Sequence, residues 1–123
     1  MAEERTRFIE HQGRRIVLLD FTSLTVEAEC LAEIEKARQF FAAQKPDGTM
    51  LTMTDGTGAR YTSKVMEALK QLAAHNKPYV RAGAAVTTSR LHRVVVTAVA
   101  IFTGRHLAVF ATRQEAMAWL VKQ

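Results

Sequence analysis

The 123-residue sequence predicts a single α/β domain with a mixed, mostly parallel sheet of about five strands and four main helices. Three observations carry this reading. Strand-like and helix-like stretches alternate four times after an initial pair of short strands, the order that builds a parallel sheet with covering helices. Ile16-Val17-Leu18-Leu19 is a continuous apolar run, as expected of a strand covered on both faces. Met50 to Thr54 alternates between two unlike faces and then breaks at Asp55-Gly56-Thr57-Gly58, where two glycines admit backbone angles that other residues avoid.

Phe8 to His11 and Arg15 to Asp20 flank Gln12-Gly13, a hairpin turn that leaves the first strand antiparallel at the sheet edge. Residues 1–6 are read as a flexible N-terminus and residues 7–123 as the domain. Thr25 is the expected cap of the first helix, with Glu27 and Glu29 near its positive end. Val26, Cys30, Ile34, Ala37 and Phe41 recur at helical spacing as one buried stripe, and Pro46 and Gly48 stop the helix.

After the central strand, Thr62 or Ser63 caps a helix running to about His75, with Val65, Leu69, Leu72 and Ala73 inward; Asn76 and Pro78 end it. Tyr79 to Val86 is the next strand. Val80, Ala82, Ala84 and Val86 share one face, and Tyr79, Arg81 and Gly83 share the other, where small residues imply close packing. Thr87-Thr88-Ser89 opens a third helix that Gly104 closes. Its middle, Val94 to Phe102, is apolar nearly all round, so it is either deeply buried or presents a face to a partner or lipid. A twofold homodimer is one way to cover that face. Leu107 to Phe110 makes the last strand, and Thr112 with Glu115 has capping-box spacing. Met117, Leu120 and Val121 dock the terminal helix, with Trp119 at its side.

Composition narrows the function classes. One cysteine, Cys30, excludes an internal disulfide and a Cys-based zinc cluster. The charged start, MAEERTR, reads as no signal peptide, and no run approaches the roughly 18 apolar residues of a membrane span. A cytoplasmic location is expected. The net charge of +5 conceals an asymmetry: residues 1–55 hold seven Lys or Arg against ten Asp or Glu, whereas only Glu67 and Glu115 follow Asp55. The later basic residues are scattered singly, without interleaved aromatic rings, so they read as a solvated face and not as a nucleic-acid site.

In a parallel sheet the loops after the strands gather at one edge. That edge collects Asp20, Thr22, Ser23, Thr25, Asp55, Thr57, Arg60, Thr62, Ser63, Thr87 to Arg90, Thr112 and Arg113. Hydroxyls, helix N-termini and three arginines there suit an anion, although Ser and Thr are also ordinary helix caps. DGTG lacks the spacing and lysine of a P-loop, and no Gly-x-Gly-x-x-Gly occurs. His11, His75, His92 and His106 are dispersed without metal-ligand spacing, and no Ser-His-Asp arrangement declares itself. The expectation is therefore a protein that is not an enzyme and uses no cofactor or metal.

The N-terminal hairpin, TDGTGARYTSKV, NKPYVRAGAAV, IFTGRHLAVF and the terminal TRQEAMAWL together resemble the small bacterial STAS-like (SpoIIAA-like) domain proteins, over residues 7–122. These are related in fold to anti-sigma-factor antagonists and to CRAL-TRIO lipid-binding domains. In the antagonists the strand ends in Asp-Ser-Ser-Gly, and a partner kinase phosphorylates the second serine. Asp55 matches the Asp, Gly56 replaces the first Ser, Thr57 stands at the phosphorylated position and Gly58 matches the Gly. This chain departs in having threonine as acceptor and a helix that starts several residues later. The resemblance implies a regulatory or protein-interaction module with a protein partner, phosphorylation at Thr57 by a kinase-like regulator, and a binding loop of Asp55, Gly56, Thr57, Gly58, Arg60, Thr62 and Ser63. Its CRAL-TRIO side implies the alternative, a carrier of a small apolar or lipid ligand lined by the third helix.

Overall fold

Gln12 and Gly13 both adopt positive φ, 50° and 76°, the pair of angles that a two-residue hairpin turn of the right twist requires. They join β1 (Thr6–His11) to β2 (Arg14–Asp20) in an antiparallel pair, in the computed structural model that describes residues 4–123. β3 (Met50–Asp55), β4 (Val80–Val86) and β5 (Leu107–Phe110) then add in parallel, giving the order β1-β2-β3-β4-β5. Four helices accompany them: α1 (Glu27–Ala42), α2 (Ser63–Asn76), α3 (Arg90–Thr103) and α4 (Arg113–Leu120), with a 3-10 turn at Lys77–Tyr79. Of the stretch expected to be a flexible N-terminus, residues 1–3 lie outside the described residues. Arg5 donates to the carbonyls of Asp20 and Thr22, and Thr6 opens β1.

Parallel neighbours taken in sequence order, joined by crossovers of one hand, place their connecting helices on the same face. α1 and α2 accordingly pack with Val17 and Leu19 of β2, while α4 covers Ile16, Leu18, Leu51, Met53, Ala82, Ala84 and Val86 on the opposite face. The apolar run of β2 is thus split alternately between two cores. Cys30, Ile34, Ala37 and Phe41 form the buried stripe of α1, and Cys30 is fully enclosed. Burial pushes its thiol pKa up, so it behaves as a small apolar side chain.

Four expectations are corrected. Thr25 does not cap α1: Val26 takes that position with no side-chain bond and is half-exposed, so it leaves the stripe. Backbone bonds from Ser23 N to Thr57 O and from Arg60 N to Leu24 O hold this connection against the loop after β3, which delays entry into the helix. Val80 does not share a face with Ala82 and Ala84, because the pairing slips between Met50↔Val80 and Leu51↔Ala82, making Arg81 an extra residue that turns Val80 toward α1. Tyr79 belongs to the 3-10 turn, not to β4. At the C-terminus Ala116 joins Leu120 in full burial, beside the partly buried Met117 and Val121.

The two alternatives left open for α3 resolve toward exposure. Only Thr103 of this helix is buried, whereas Leu91, Val94, Ile101 and Phe102 are more than three-fifths exposed. Ser89 caps it by accepting from His92 N, and Gly104 ends it at φ 66°.

Candidate functional site

β2 and β3 end side by side in the same short motif. Asp20 and Asp55 are register partners, and each is followed two residues later by a threonine. Thr22 donates its amide and hydroxyl to Asp20 Oδ1 at 3.0 and 2.6 Å. Thr57 does the same to Asp55 Oδ1, at 3.0 and 2.7 Å. An aspartate that accepts from the residue two positions on makes a compact turn without needing a backbone bond. Each strand therefore stops at a stiff polar corner.

Arg113, the first residue of α4, bridges the two corners. Its Nε donates to Asp55 Oδ2 at 2.6 Å, and its Nη2 lies 3.5 Å from Asp20 Oδ1. Arg5 adds a second cation 3.8 Å from Asp20. Burial pushes the Asp20 pKa up, but the Thr22 hydrogen bonds and the charges of Arg113 and Arg5 outweigh it, and the carboxyl is held below its ordinary value. Partial burial pulls the Arg113 guanidinium down, and the bond to Asp55 reverses this and raises it. The sequence places Asp20, Asp55 and Arg113 on one rim, and the structure joins them. It does so by neutralising one of the three arginines expected to hold an anion.

The loop after β3 is tied on both sides. Gly56 N donates to Val86 O, Ala59 N to Gly56 O, and Thr57 O accepts from Ser23 N. Gly58 has φ 71°, and a Cβ there would meet Ser23 at 3.3 Å, so this glycine is needed for both its angle and its size. Gly56 is needed for room: a Cβ would fall 2.2 Å from the Tyr61 hydroxyl. Thr57, Gly58 and Arg60 remain exposed, as do Ser63 and Lys64. Thr62 is the cap of α2, accepting from Val65 N at 3.3 Å while donating to Glu27 of α1; Ser63 is the first helical residue. Of the expected site, Asp55 and Gly56 are buried supports, Thr62 is a cap, and Thr57, Gly58, Arg60 and Ser63 form the outer surface.

Behind this loop lies a feature that the sequence shows only in outline. A cavity of about 100 Å³, partly open to solvent, separates the sheet from α2 and α3. Thr52 and Thr54 of β3 and Ala85 of β4 form its floor, Leu69, Leu72 and Ala73 one wall, and Val95, Val96 and Val99 of α3 the other. Tyr61 closes one end, its ring stacked on His92 with centroids 4.2 Å apart. Burial raises the Tyr61 pKa and lowers that of His92, so both are neutral here at pH 7. Arg105 also lines the cavity, and nothing in the local sequence singles it out. Among the described residues no cluster of three or more His, Cys, Asp or Glu is assembled, and no helix is long and apolar enough to cross a membrane.

No protein-family model matches the sequence. A 54-residue stretch, 44% of this chain, is 39% identical to an uncharacterised protein of Bacillus anthracis, and the match spans 31% of that protein's length. A crystal structure of an uncharacterised protein from the DUF3478 family of Shewanella loihica, described as having a SpoIIAA-like fold, superposes with a TM-score of 0.73 at 12% identity, covering 94% of this chain and 91% of the other.

Proposed function

We propose that this chain, whose fold is SpoIIAA-like and STAS-like, works as a non-catalytic interaction module whose contact surface is the loop from Asp55 to Ser63. The supporting observation is the way this loop is held: Asp55 and Gly56 are buried and bonded, while Thr57, Gly58 and Arg60 project from them. A surface fixed before binding loses little conformational entropy on contact, which favours affinity from a small area. In this reading a protein partner, such as a kinase-like regulator, recognises the loop in the cytoplasm.

Thr57 is the position at which such contact is regulated. Phosphorylation would replace its bond to Asp55 with about −1.5 to −2 charges beside two carboxylates. Arg113 would then be shared three ways, and the exposed Arg60 and Lys64 are near in sequence. Capture of partners from host lysate with the parent, Thr57→Glu, Thr57→Ala and Arg60→Glu tests this. A set of bound proteins altered by Thr57→Glu and by Arg60→Glu is expected; identical sets from all four would rule out the loop as the site.

A second reading, carriage of a small apolar ligand, is favoured by one specific observation, the cavity between the sheet and α3. Its walls are apolar and its polar groups few, the usual make-up of a ligand site.

A further inference from the structure

Arg105 carries a positive charge into a place where nothing answers it. It follows Gly104 at the end of α3, is only partly exposed, and lines the cavity. Among the described residues its side chain has no hydrogen bond and no ion pair. Burial pushes its guanidinium down to about 10, still charged at neutral pH, with no ionic partner among the described residues to offset it. Among the described residues no aspartate or glutamate lines the cavity.

A second polar group is in the same condition. Thr52 is 4% exposed, lines the cavity, and its hydroxyl has no partner among the described residues. The two converge over Gly83: a Cβ built on that glycine would lie 2.9 Å from Thr52 Oγ1 and 3.0 Å from Arg105 Nη2. Leu107 closes over the same point from β5, at 2.6 Å. Gly83 is therefore what lets the guanidinium and the hydroxyl come down to the sheet. Lys77 Nζ, which a Cβ on Gly104 would meet at 3.0 Å, adds a further cation near this end. Toward Tyr61 the lining is Leu69, Leu72, Val95, Val96 and Val99.

We propose that the cavity binds a small carboxylic acid with a compact, branched apolar body. Its carboxylate accepts from Arg105 and Thr52 where both line the cavity, and its hydrocarbon lies between Ala85 and the valines of α3. An anion supplies the missing partner of the guanidinium, and an arginine and a carboxylate match in planar geometry. Size sets the class: an apolar cavity of about 150 Å³ takes one benzene ring, so about 100 Å³ encloses a short branched chain. This inference rests on the carrier reading and gives its ligand a headgroup.

Isovalerate and its uncharged isostere isovaleramide, titrated at millimolar concentration into the full chain at neutral pH, test it by amide NMR shifts. Isovalerate is expected to bind about tenfold or more tightly than the amide, with shifts at Thr52, Gly83 and Arg105. Arg105→Met should erase that preference, so that isovalerate and isovaleramide bind alike. Ala85→Leu, which fills the cavity from its floor and leaves Arg105 untouched, should remove both, and it decides the matter if Arg105→Met does not fold. Equal affinity for the two probes in the cavity would overturn the acid headgroup and leave the carrier reading standing. Binding of neither probe, or isovalerate binding that survives Ala85→Leu, would overturn both.

Discussion

The two faces of the sheet are closed by helices of opposite quality. α4 has eight residues, yet it seals its side: Ala116 and Leu120 are fully buried against Leu51, Met53, Ala82 and Ala84. α3 has fourteen and is far more apolar, yet only Thr103 is buried, and a cavity lies beneath it. The difference comes from what each helix meets. α4 lies on alternating large and small residues, which interdigitate with it at the density of a normal interior. α3 faces, across the cavity, Ala85, Thr52 and Thr54, a floor of small and hydroxyl-bearing residues that cannot rise to fill the gap. Apolar content predicts that a helix seeks cover; the opposing surface decides whether it finds it.

Truncating both sides should separate them. Leu120→Ala removes a fully enclosed side chain and should cost about 2–5 kcal/mol. Val99→Ala removes a half-buried one beside existing space, and about 1 kcal/mol is expected. Urea unfolding of the two variants measures the gap; equal losses would mean that α3 is packed as firmly as α4.

The next effect concerns the junction between α4 and the site. Arg113→Met leaves Asp55, whose side chain is 6% exposed, without its cation. About 2 kcal/mol should be lost, less than for a fully buried pair because Arg113 is 36% exposed and Thr57 still bonds the carboxylate. The same variant should raise the Asp20 pKa, readable by carboxyl NMR. Asp20, depressed when folded, contributes stability that is complete above its unfolded value of about 3.9 and is lost as the pH falls through the folded value. Arg113→Met should therefore flatten the acid limb of the stability profile.

His92 gives the smallest of these effects and belongs to the α3 side. Burial lowers its pKa, so below about 6.5 the unfolded chain takes up this proton more readily than the folded one. Stability should fall as the pH drops from about 6.5 through the folded value, and His92→Phe, which keeps a ring against Tyr61, should remove that slope. Unfolding at a series of pH values checks the sign. Self-association through the outer face of α3 would mask all of the α3 effects. Sedimentation of the parent and of Ile101→Asp at micromolar concentration shows whether that exposed surface joins two copies.

Much of this architecture is legible in the amino-acid sequence, for local reasons. The alternation of β3, the apolar run of β2, and the caps Thr62, Ser89 and Thr112 all follow from neighbours within a few residues. The Asp-x-Thr corners are also readable: Asp20 to Thr22 and Asp55 to Thr57 repeat one motif at two predicted strand ends. Their union by Arg113 is not, since 58 residues separate it from Asp55. The bulge at Arg81 depends on which residue of β3 faces which of β4, information that no single strand holds. Arg105 is harder still, because an arginine after a helix-ending glycine ordinarily points to water. The room it occupies is left by Gly83, in another strand.

The unbroken strand order has a kinetic meaning as well. Beyond the β1–β2 hairpin, pairing Ile16 with Leu51, Leu51 with Ala82, and Gly83 with Leu107 closes loops of about 24 to 35 residues each. Closure entropy rises only as the logarithm of loop length, so these three steps differ by a few tenths of a kcal/mol. No strand has to be inserted between two that are already paired. A chain emerging from its N-terminus can lay each parallel strand on a finished edge, beginning from a hairpin whose turn needs two residues. Assembly by successive addition leaves β1 at one edge throughout and a single growing edge at the other, and the last strand added there is β5, four residues long, too short to recruit a foreign strand with any strength.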